Sequence, residues 1–115
     1  MEKAKAISKY MRISPRKVRP VADLIRGVSV EEARQRLQYC NRKGGTMLTK
    51  TLNSAVANAE MQLEARPEEL KVAVVTVDDA PRMKRVKSRS RGARDPILKR
   101  MSHFTVVVQK DEGEE

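Results

Sequence analysis

The feature that most constrains this chain is a strongly basic run between two apolar, β-branched stretches. Residues 82–101 contain nine Lys or Arg residues and one acidic residue, a net charge of +8. Between positions 82 and 94 only Met83, Val86 and Ala93 are apolar, too few to offset the entropy lost when thirteen residues become ordered. Arg outnumbers Lys there by five to two, which favours bidentate phosphate contacts. We therefore predict an arm that acquires a fixed shape only when nucleic acid neutralises it.

The remaining charge is also unevenly distributed along the chain. Residues 1–19 carry a net charge of +6, and everything outside the two basic segments carries −4, which gives +10 for the whole chain. A length of 115 residues is enough for one domain. We predict one globular domain over residues 1–110 that carries two basic segments, followed by a disordered acidic tail at 111–115.

Several classes of protein are excluded by the apolar and cysteine content. The longest apolar stretch, residues 72–77, is interrupted by Thr76 and is far shorter than the roughly 20 residues of a membrane span. The N-terminus alternates lysine with small residues and lacks an apolar block, so we expect no signal peptide. The single cysteine, Cys40, cannot build a disulfide framework and favours a reducing, cytosolic setting.

Helix signals occupy the first part of the chain. Ser14-Pro15 is typical of an N-cap followed by the first helical residue, and the apolar positions then recur at helical spacing until Gly27. Pro20 lies inside this run, so we expect a kink or a weak first turn. Ser29 and Glu32 form a capping box that opens a second helix.

A third helix is predicted after a pair of glycines. The apolar stripe of the second helix is expected to extend to Cys40, where the thiol is interpreted as a buried structural group. Gly44-Gly45 is interpreted as a break in the chain, and Thr46 as the N-cap of the third helix. That helix is expected to stop at Arg66-Pro67.

The second part of the chain has the pattern of β-strands. Residues 71–77 are compact and β-branched, which predicts a strand buried on both faces or nearly so. Residues 101–109 are predicted to be its partner, and residues 3–11 a third strand. The alternation in 101–109 places Phe104, Val106 and Val108 on one face and His103, Thr105 and Val107 on the other.

The basic run between the two main strands is predicted to be a projecting hairpin. Pro81 and Pro96 flank it, with their midpoint between Ser88 and Arg89. Residues 82–95 would then form a hairpin whose arm of about eight residues reaches roughly 25 Å beyond the body, at ~3.3 Å per residue. The predicted fold class is α+β, with three helices packed on a small three-stranded antiparallel sheet and a long projecting basic β-hairpin.

The aromatic content limits how nucleic acid is recognised. The chain has only three aromatic residues, Tyr10, Tyr39 and Phe104. Modules that stack bases on a sheet, such as the RNA-recognition motif or an OB-fold, need more. We expect recognition through backbone and shape, with base-specific contacts secondary.

Candidate groups for catalysis or metal binding are few. Cys40 and His103 are the only soft metal ligands, so no zinc site can be assembled. His103 is interpreted either as a core or sheet hydrogen-bonding residue or as an RNA contact. Asp78-Asp79 is a weak metal signal and better fits a neck turn or a salt bridge to a hairpin base. Residues 43–46 (KGGT) lack the spacing of a phosphate-binding P-loop, and no enzymatic activity is predicted.

Several blocks in one uninterrupted order carry a resemblance to a known family. They are residues 14–19 (SPRKVR), 21–27 (VADLIRG), 53–60 (NSAVANAE), 77–81 (VDDAP), 83–85 (MKR), 97–100 (ILKR), 102–103 (SH) and 105–108 (TVVV). With the positions between them they extend from about residue 3 to 109. In these blocks the sequence resembles the uL22 family of bacterial large-subunit ribosomal proteins.

The resemblance implies a structural constituent of the large ribosomal subunit, located in the ribosome in the cytoplasm. Residues 1–110 would form a single rRNA-binding domain, with the hairpin extension at about 81–96. The protein would bind large-subunit (23S) rRNA and aid subunit assembly, and its hairpin would help line the nascent-peptide exit tunnel. Its partners would be rRNA, neighbouring ribosomal proteins and, at the hairpin tip, the nascent polypeptide. We expect no cofactor, no metal, no membrane contact and no homo-oligomer.

The resemblance also implies which residues contact RNA. On the body they are Arg12, Arg16, Lys17 and Arg19. On and after the hairpin they are Arg82, Lys84, Arg85, Lys87, Arg89, Arg91, Arg94, Lys99, Arg100, Ser102 and His103. The tunnel tip would consist of Lys87, Ser88, Arg89, Ser90, Arg91 and Gly92.

Two other functions compete with this interpretation. Nucleoid-type architectural DNA binders are also small and basic with a β-ribbon arm, but they insert apolar wedges into the minor groove and form apolar dimer interfaces, neither of which is evident. An adaptor for anionic membranes would need a basic amphipathic helix with large apolar residues, whereas the bases here cluster outside the predicted helices.

Overall fold

A computed structural model of the chain describes residues 3–88 and 94–110, with side chains described for 3–81 and 100–110. The elements are β1 (Lys3–Met11), α1 (Pro15–Ile25), α2 (Val30–Gln38), α3 (Lys43–Gln62), a short 3-10 helix (Pro67–Glu69), β2 (Leu70–Ser88) and β3 (Arg94–Lys110). The predicted tip positions 89–92 and the predicted acidic tail at 111–115 lie outside the described residues. In the described part of the chain, no helix is long and apolar enough to cross a membrane.

The three strands form one antiparallel sheet in the order β1-β3-β2. The C-terminal strand lies in the centre and pairs with both others, because its buried positions Phe104, Val106 and Val108 form the most continuous apolar row in the sheet. α1 packs against β2, and α3 packs against β1 and β3. The predicted α+β fold, with three helices on a three-stranded antiparallel sheet, is confirmed.

Where the side chains of the sheet are described, one face is buried and the other is exposed to a greater degree. The predicted alternation in β3 is confirmed, because Phe104 is fully buried and its neighbours His103 and Thr105 are half-exposed. The prediction that residues 71–77 are buried on both faces is wrong, since Val74 is 40% exposed. The helices cover one side of the sheet, and a register shift between Val72 and Val74 returns the following residues to the buried side.

α1 begins at its predicted position and continues through its internal proline. Pro15 is the first helical residue, and the four apolar positions that follow at helical spacing are buried: Val18, Val21, Ala22 and Ile25. Pro20 is exposed and the helix remains one element across it. Gly27 adopts φ +83° beyond the helix end, and its N–H donates to the carbonyl of Val72 (3.0 Å), which ties the helix end to β2.

The start of α3 differs from the prediction. The helix begins at Lys43 rather than at Thr46, so Gly44-Gly45 lies within its first turn and does not break the chain. A Cβ on Gly44 would lie 3.3 Å from Val18 Cγ2, and a Cβ on Gly45 would lie 3.3 Å from Cys40 Cβ. The glycines therefore allow α3 to approach α1 and the segment after α2 closely.

Two helix ends also come earlier than predicted. α2 ends at Gln38, so Cys40 is not on its stripe; the residue follows the helix, half-buried against the core. α3 ends at Gln62, four residues before Arg66, because Glu64 adopts a left-handed conformation with φ +52°.

The pairing of β2 with β3 continues well beyond the buried body. Among the side chains that the structure describes, the last buried pair is Ala80–Met101, and backbone pairing resumes at Met83–Lys99 and runs to Ser88–Arg94. The eight β2 residues after Ala80 span about 26 Å at ~3.3 Å each.

The predicted midpoint of the hairpin, between residues 88 and 89, is wrong. The pairs from Met83–Lys99 to Ser88–Arg94 are centred on position 91, and Pro96 lies opposite Val86. Pro81 lies instead within a register shift, where its missing N–H removes no ladder hydrogen bond.

Candidate nucleic-acid interface

The first turn of α1 presents basic side chains to solvent. Arg12 lies in the connection from β1, and Arg16 and Lys17 lie in the first turn; all three are exposed. Ser14 is the N-cap residue by backbone conformation, although within the described residues its side chain makes no capping hydrogen bond. The partial positive charge of the helix N-terminus therefore adds to that of the bases.

A cavity of about 240 Å³ connects this basic turn with the start of α3. It is lined by Ile13, Lys17, Arg42, Lys43 and Gly44. The described lining includes no carboxylate. Three cationic side chains around a cavity of this size can hold a phosphodiester group, because each can donate hydrogen bonds to a phosphate oxygen.

Arg42 and Lys43 are functional candidates that the sequence analysis missed. The signal was the pair of bases directly before an apolar helical pattern. The interpretation of Gly44-Gly45 as a break displaced the predicted helix start to Thr46, and so separated these bases from the helix that positions them.

α2 shows how a helix N-terminus is neutralised elsewhere in this chain. Ser29 Oγ accepts a hydrogen bond from the Glu32 N–H (3.2 Å), and Glu31 and Glu32 place acids in the first turn. This half of the predicted capping box is confirmed, whereas the Glu32 side chain pairs with Arg36. By contrast, the first turns of α1 and α3 hold bases and no acid.

Arg19 holds the helix layer to the sheet near the base of the arm. Its Nε and Nη2 atoms donate to the carbonyl oxygen of Val77, at 3.4 and 3.3 Å. Arg26, two turns later, donates in the same way to the carbonyl of Val75 (2.7 Å). Because a guanidinium has five donors, these bonds leave Arg19 able to donate to a phosphate as well.

Ser102 does not lie on the basic surface. Its side chain is 0% exposed, and its hydroxyl donates a 2.6 Å hydrogen bond to the carbonyl oxygen of Ile13. The hydroxyl thus satisfies a carbonyl in the turn between β1 and α1. This placement corrects the expectation that Ser102 contacts RNA.

His103 makes a hydrogen bond within the sheet. Its Nδ1 accepts from the backbone N–H of Tyr10 (3.1 Å), and the two rings meet edge to face with centroids 4.9 Å apart. Tyr10 has φ +58° at a register shift in β1, and the His103 bond satisfies the N–H that the shift leaves without a strand partner. The sheet alternative for His103 is therefore confirmed, and an RNA contact by the remaining ring nitrogen stays a prediction.

The acidic pair at the base of the arm lies in a regular strand rather than in a turn. Asp78 is opposite His103 and Asp79 is opposite Ser102, and both carboxylates are exposed. Among the described residues, no group of three or more His, Cys, Asp or Glu side chains could hold a metal ion.

The register of the arm separates its basic positions from one another. Lys84 lies opposite Leu98, Arg85 opposite Ile97, and Lys87 opposite Asp95. On the other strand, Lys99 lies opposite Met83 and Arg94 opposite Ser88. In the pairs from Met83–Lys99 to Ser88–Arg94 no base is directly opposite another base, so this register avoids the cross-strand pairs that would be most repulsive. Arg100, at the base of the arm, is exposed.

Comparison with known proteins agrees with this arrangement. The family model described as ribosomal protein L22p/L17e matches residues 6–109. The large ribosomal subunit protein uL22 of Protochlamydia amoebophila is 60% identical over 108 residues, which cover 94% of this chain and 97% of that protein. The uL22 proteins of Desulfitobacterium hafniense and Thermus thermophilus are 51% and 50% identical, over 98% and 96% of this chain and 100% and 97% of their own lengths. With a family model that spans almost all of its length and relatives at this identity, the chain belongs to the ribosomal protein L22p/L17e (uL22) family.

Proposed function

We propose that this chain is a structural constituent of the large ribosomal subunit and that it binds large-subunit (23S) rRNA through two surfaces. One is the basic start of α1 together with the cavity lined by Lys17, Arg42 and Lys43, which we call the α3 cavity. The other is the arm formed by β2 and β3 beyond Ala80. The observation that carries the proposal is the continued pairing of these strands, beyond the buried Ala80–Met101 pair, into a segment with a net charge of +8. An arm with so many like charges and few apolar residues is expected to need a polyanion as its counterpart.

Binding in this proposal is driven by charge neutralisation along an extended path. Each phosphate that Lys or Arg neutralises releases condensed counterions, so log affinity falls by about 0.7–0.9 for each tenfold rise in salt per contact. The protein braces RNA by linking a body site and an arm site that lie tens of ångströms apart. In this way it would aid subunit assembly, since it favours the RNA fold that presents both sites together.

The finer part of the proposal concerns the far end of the arm. The predicted tip, residues 87–92, would help line the nascent-peptide exit tunnel and meet the nascent polypeptide; its first two residues, Lys87 and Ser88, are still paired with Asp95 and Arg94. What supports this is the resemblance in the arm sequence and the length of pairing, which carries the described strands about 26 Å from the body. Neighbouring ribosomal proteins would be further partners, and we expect no membrane contact and no homo-oligomer.

Family membership bears directly on enzymatic activity and on the place of the chain in the cell. A member of this family of ribosomal structural proteins is not an enzyme, and its place in the cell is the ribosome. Membership also favours RNA over the alternatives of a nucleoid DNA binder and a membrane adaptor.

Shortening the arm tests the proposal. Replacing residues 84–98 with Asn-Gly would leave Met83–Lys99 as the last pair and close it with a two-residue turn. The change removes six bases and one acid. We expect the body to keep its circular dichroism and its cooperative unfolding, and to lose most of its salt-sensitive affinity for 23S rRNA.

A second variant separates charge from reach. Here the same six bases are replaced by Gln and the arm keeps its length. Both proteins are mixed with large-subunit RNA and neighbouring proteins, assembled, and sedimented in high salt. Retention of either variant at the level of the unaltered chain would refute the assignment of the arm as an RNA-binding element.

A further inference from the structure

The corner between α1 and α2 has a surface chemistry opposite to that of the basic surfaces. A cavity of about 480 Å³ opens there, lined by Leu24, Glu32, Gln35, Arg36 and Tyr39. Leu24 is 45% exposed and Tyr39 is 81% exposed, and both rank among the large apolar or aromatic side chains that this chain leaves in water. Exposed aromatic and aliphatic side chains beside a cavity are typical of anchoring points for a partner.

Hydrogen bonds hold the walls of this cavity in place. Arg36 Nη1 donates to the carbonyl oxygen of Leu24 (2.7 Å), and its Nη2 donates to Glu32 Oε1 (2.7 Å), which ties the end of α1 to α2. Tyr39 is the C-cap residue of α2, and its N–H donates to the carbonyl of Gln35 (3.2 Å). The cavity is therefore preformed, and a partner would pay little entropy to order it.

The charges at this corner disfavour a polyanion. Arg36 is paired with Glu32, and Arg26, the other arginine at the end of α1, is paired with Asp23 and donates to the carbonyl of Val75. Glu31 adds a further exposed carboxylate in the first turn of α2. Lys17, by contrast, is at the other end of α1, about 10 Å away along the helix axis from Leu24 at ~1.5 Å per residue.

We propose that this corner, which we call the α1–α2 corner, docks a segment of another protein. The segment would insert one large apolar side chain between Leu24 and Tyr39, and would carry Lys or Arg beside it to face Glu31. Three carboxylates (Asp23, Glu31 and Glu32) against two arginines (Arg26 and Arg36) leave the corner with a net charge of −1, which complements a basic segment. This inference rests on the proposed place of the chain in the large subunit.

The corner is too small to hold a complex by itself. A single anchoring pocket buries much less than the ~800 Å² per partner of a standard interface. Docking here gains from the shared RNA, which keeps two proteins at a high effective concentration. The test is therefore made in assembled subunits, not with the isolated chain.

Site-specific photo-crosslinking can identify what covers the corner. The variant Tyr39→p-benzoylphenylalanine is assembled into large subunits, irradiated, and its crosslinked peptides are sequenced by mass spectrometry. The matched control is the same replacement at Met61, which is 84% exposed and lies sixteen residues along α3 from Gly45, about 24 Å at ~1.5 Å per residue. We expect Tyr39 to crosslink one protein segment that has Lys or Arg next to an apolar residue.

Substitution within the corner checks that the crosslink depends on it. Leu24→Asp should reduce the yield about tenfold, since it places a charge where an apolar side chain is buried. If the Tyr39 variant does not enter subunits, Gln35 in the same wall carries the crosslinker in its place. Crosslinks to rRNA, or a yield no higher than at Met61, would overturn the docking proposal. Failure of the unaltered chain to enter subunits would instead overturn the proposed function, and co-sedimentation before irradiation separates the two results.

Discussion

Replacing Ser102 with alanine separates a structural role for this residue from the RNA contact expected from the sequence. The hydroxyl is fully buried and donates a 2.6 Å hydrogen bond to the carbonyl oxygen of Ile13. In Ser102→Ala that bond is lost, and the carbonyl oxygen of Ile13, a residue that is itself buried, loses its partner. The variant should therefore fold into the same structure with reduced stability.

The size of the effect follows from the burial. A lost hydrogen bond costs about 0.5–1.5 kcal/mol, and a carbonyl left buried without a partner costs about 1–3 kcal/mol. Because alanine recovers part of this through its apolar surface, we expect Ser102→Ala to lower the free energy of unfolding by about 1.5 kcal/mol. Unfolding entropy of ~2.1 cal/mol/K per residue then predicts a Tm about 6 °C lower for a chain of 115 residues.

Two measurements on the Ser102→Ala protein distinguish a structural role from an RNA contact. Urea unfolding followed by circular dichroism reports stability, and filter binding to a 23S rRNA fragment reports affinity at temperatures where the variant is folded. Ser54→Ala, at an exposed position of α3, is the control and should change stability by less than about 0.5 kcal/mol. A Ser102→Ala protein with unchanged stability and weakened RNA binding would refute the structural assignment.

Three other substitutions test separate parts of the structure. Replacing Lys17, Arg42 and Lys43 together with Gln should reduce the slope of log affinity for rRNA against log salt by up to about 2, measured by filter binding, without a change in Tm. Ser29→Ala should cost about 1 kcal/mol in urea unfolding, because it removes the cap of α2. Gly44→Val should cost about 1–3 kcal/mol in the same assay, because its branched side chain would press on Val18.

Each of these has a matched comparison. Gln at Lys50, Arg66 and Lys71 removes three bases from elsewhere on the body, and a salt slope equally reduced there would contradict a specific role for the α3 cavity. Thr at Ser29 retains a capping hydroxyl and should keep most of the stability that Ala loses. For Gly44, an alanine should come close to neutral, since ~0.5–1 kcal/mol of helix preference offsets the 3.3 Å approach to Val18. A Val variant as stable as the Ala variant would show that α1 does not confine this position.

The parts of the fold that depend on neighbouring residues along the chain could be predicted from the sequence. Pro15 and the buried positions of α1 follow from a cap signal and a 3.6-residue period, and the faces of β3 follow from simple alternation. The uneven charge likewise pointed to the arm. These signals are local, because each depends on residues a few positions apart.

The predictions that were wrong concern positions where contacts between residues far apart in the sequence determine the structure. Gly44-Gly45 has the composition of a break, but Val18 and Cys40 lie close to the first turn of α3, where small residues fit best. The run of residues 71–77 resembles a strand buried on both sides, because a register shift near Val74 cannot be read from a continuous series of small and β-branched residues. The centre of the arm was also predicted wrongly from Pro81 and Pro96, because the register shift after Ala80 cannot be read from the sequence either.

The register of the arm also restricts how its length can change. Because bases lie opposite uncharged or acidic residues along the described pairs, an extra residue in one strand would shift every later pair by one position. Lys84, for example, would lose Leu98 as its partner and face an adjacent position. The arm can therefore lengthen in register by opposed insertions, one in each strand, and each such step adds about 3.3 Å, whereas a single insertion needs a bulge such as those already present in β2. Family members whose arms differ in length without a bulge should therefore differ by an even number of residues, counted over the two strands together.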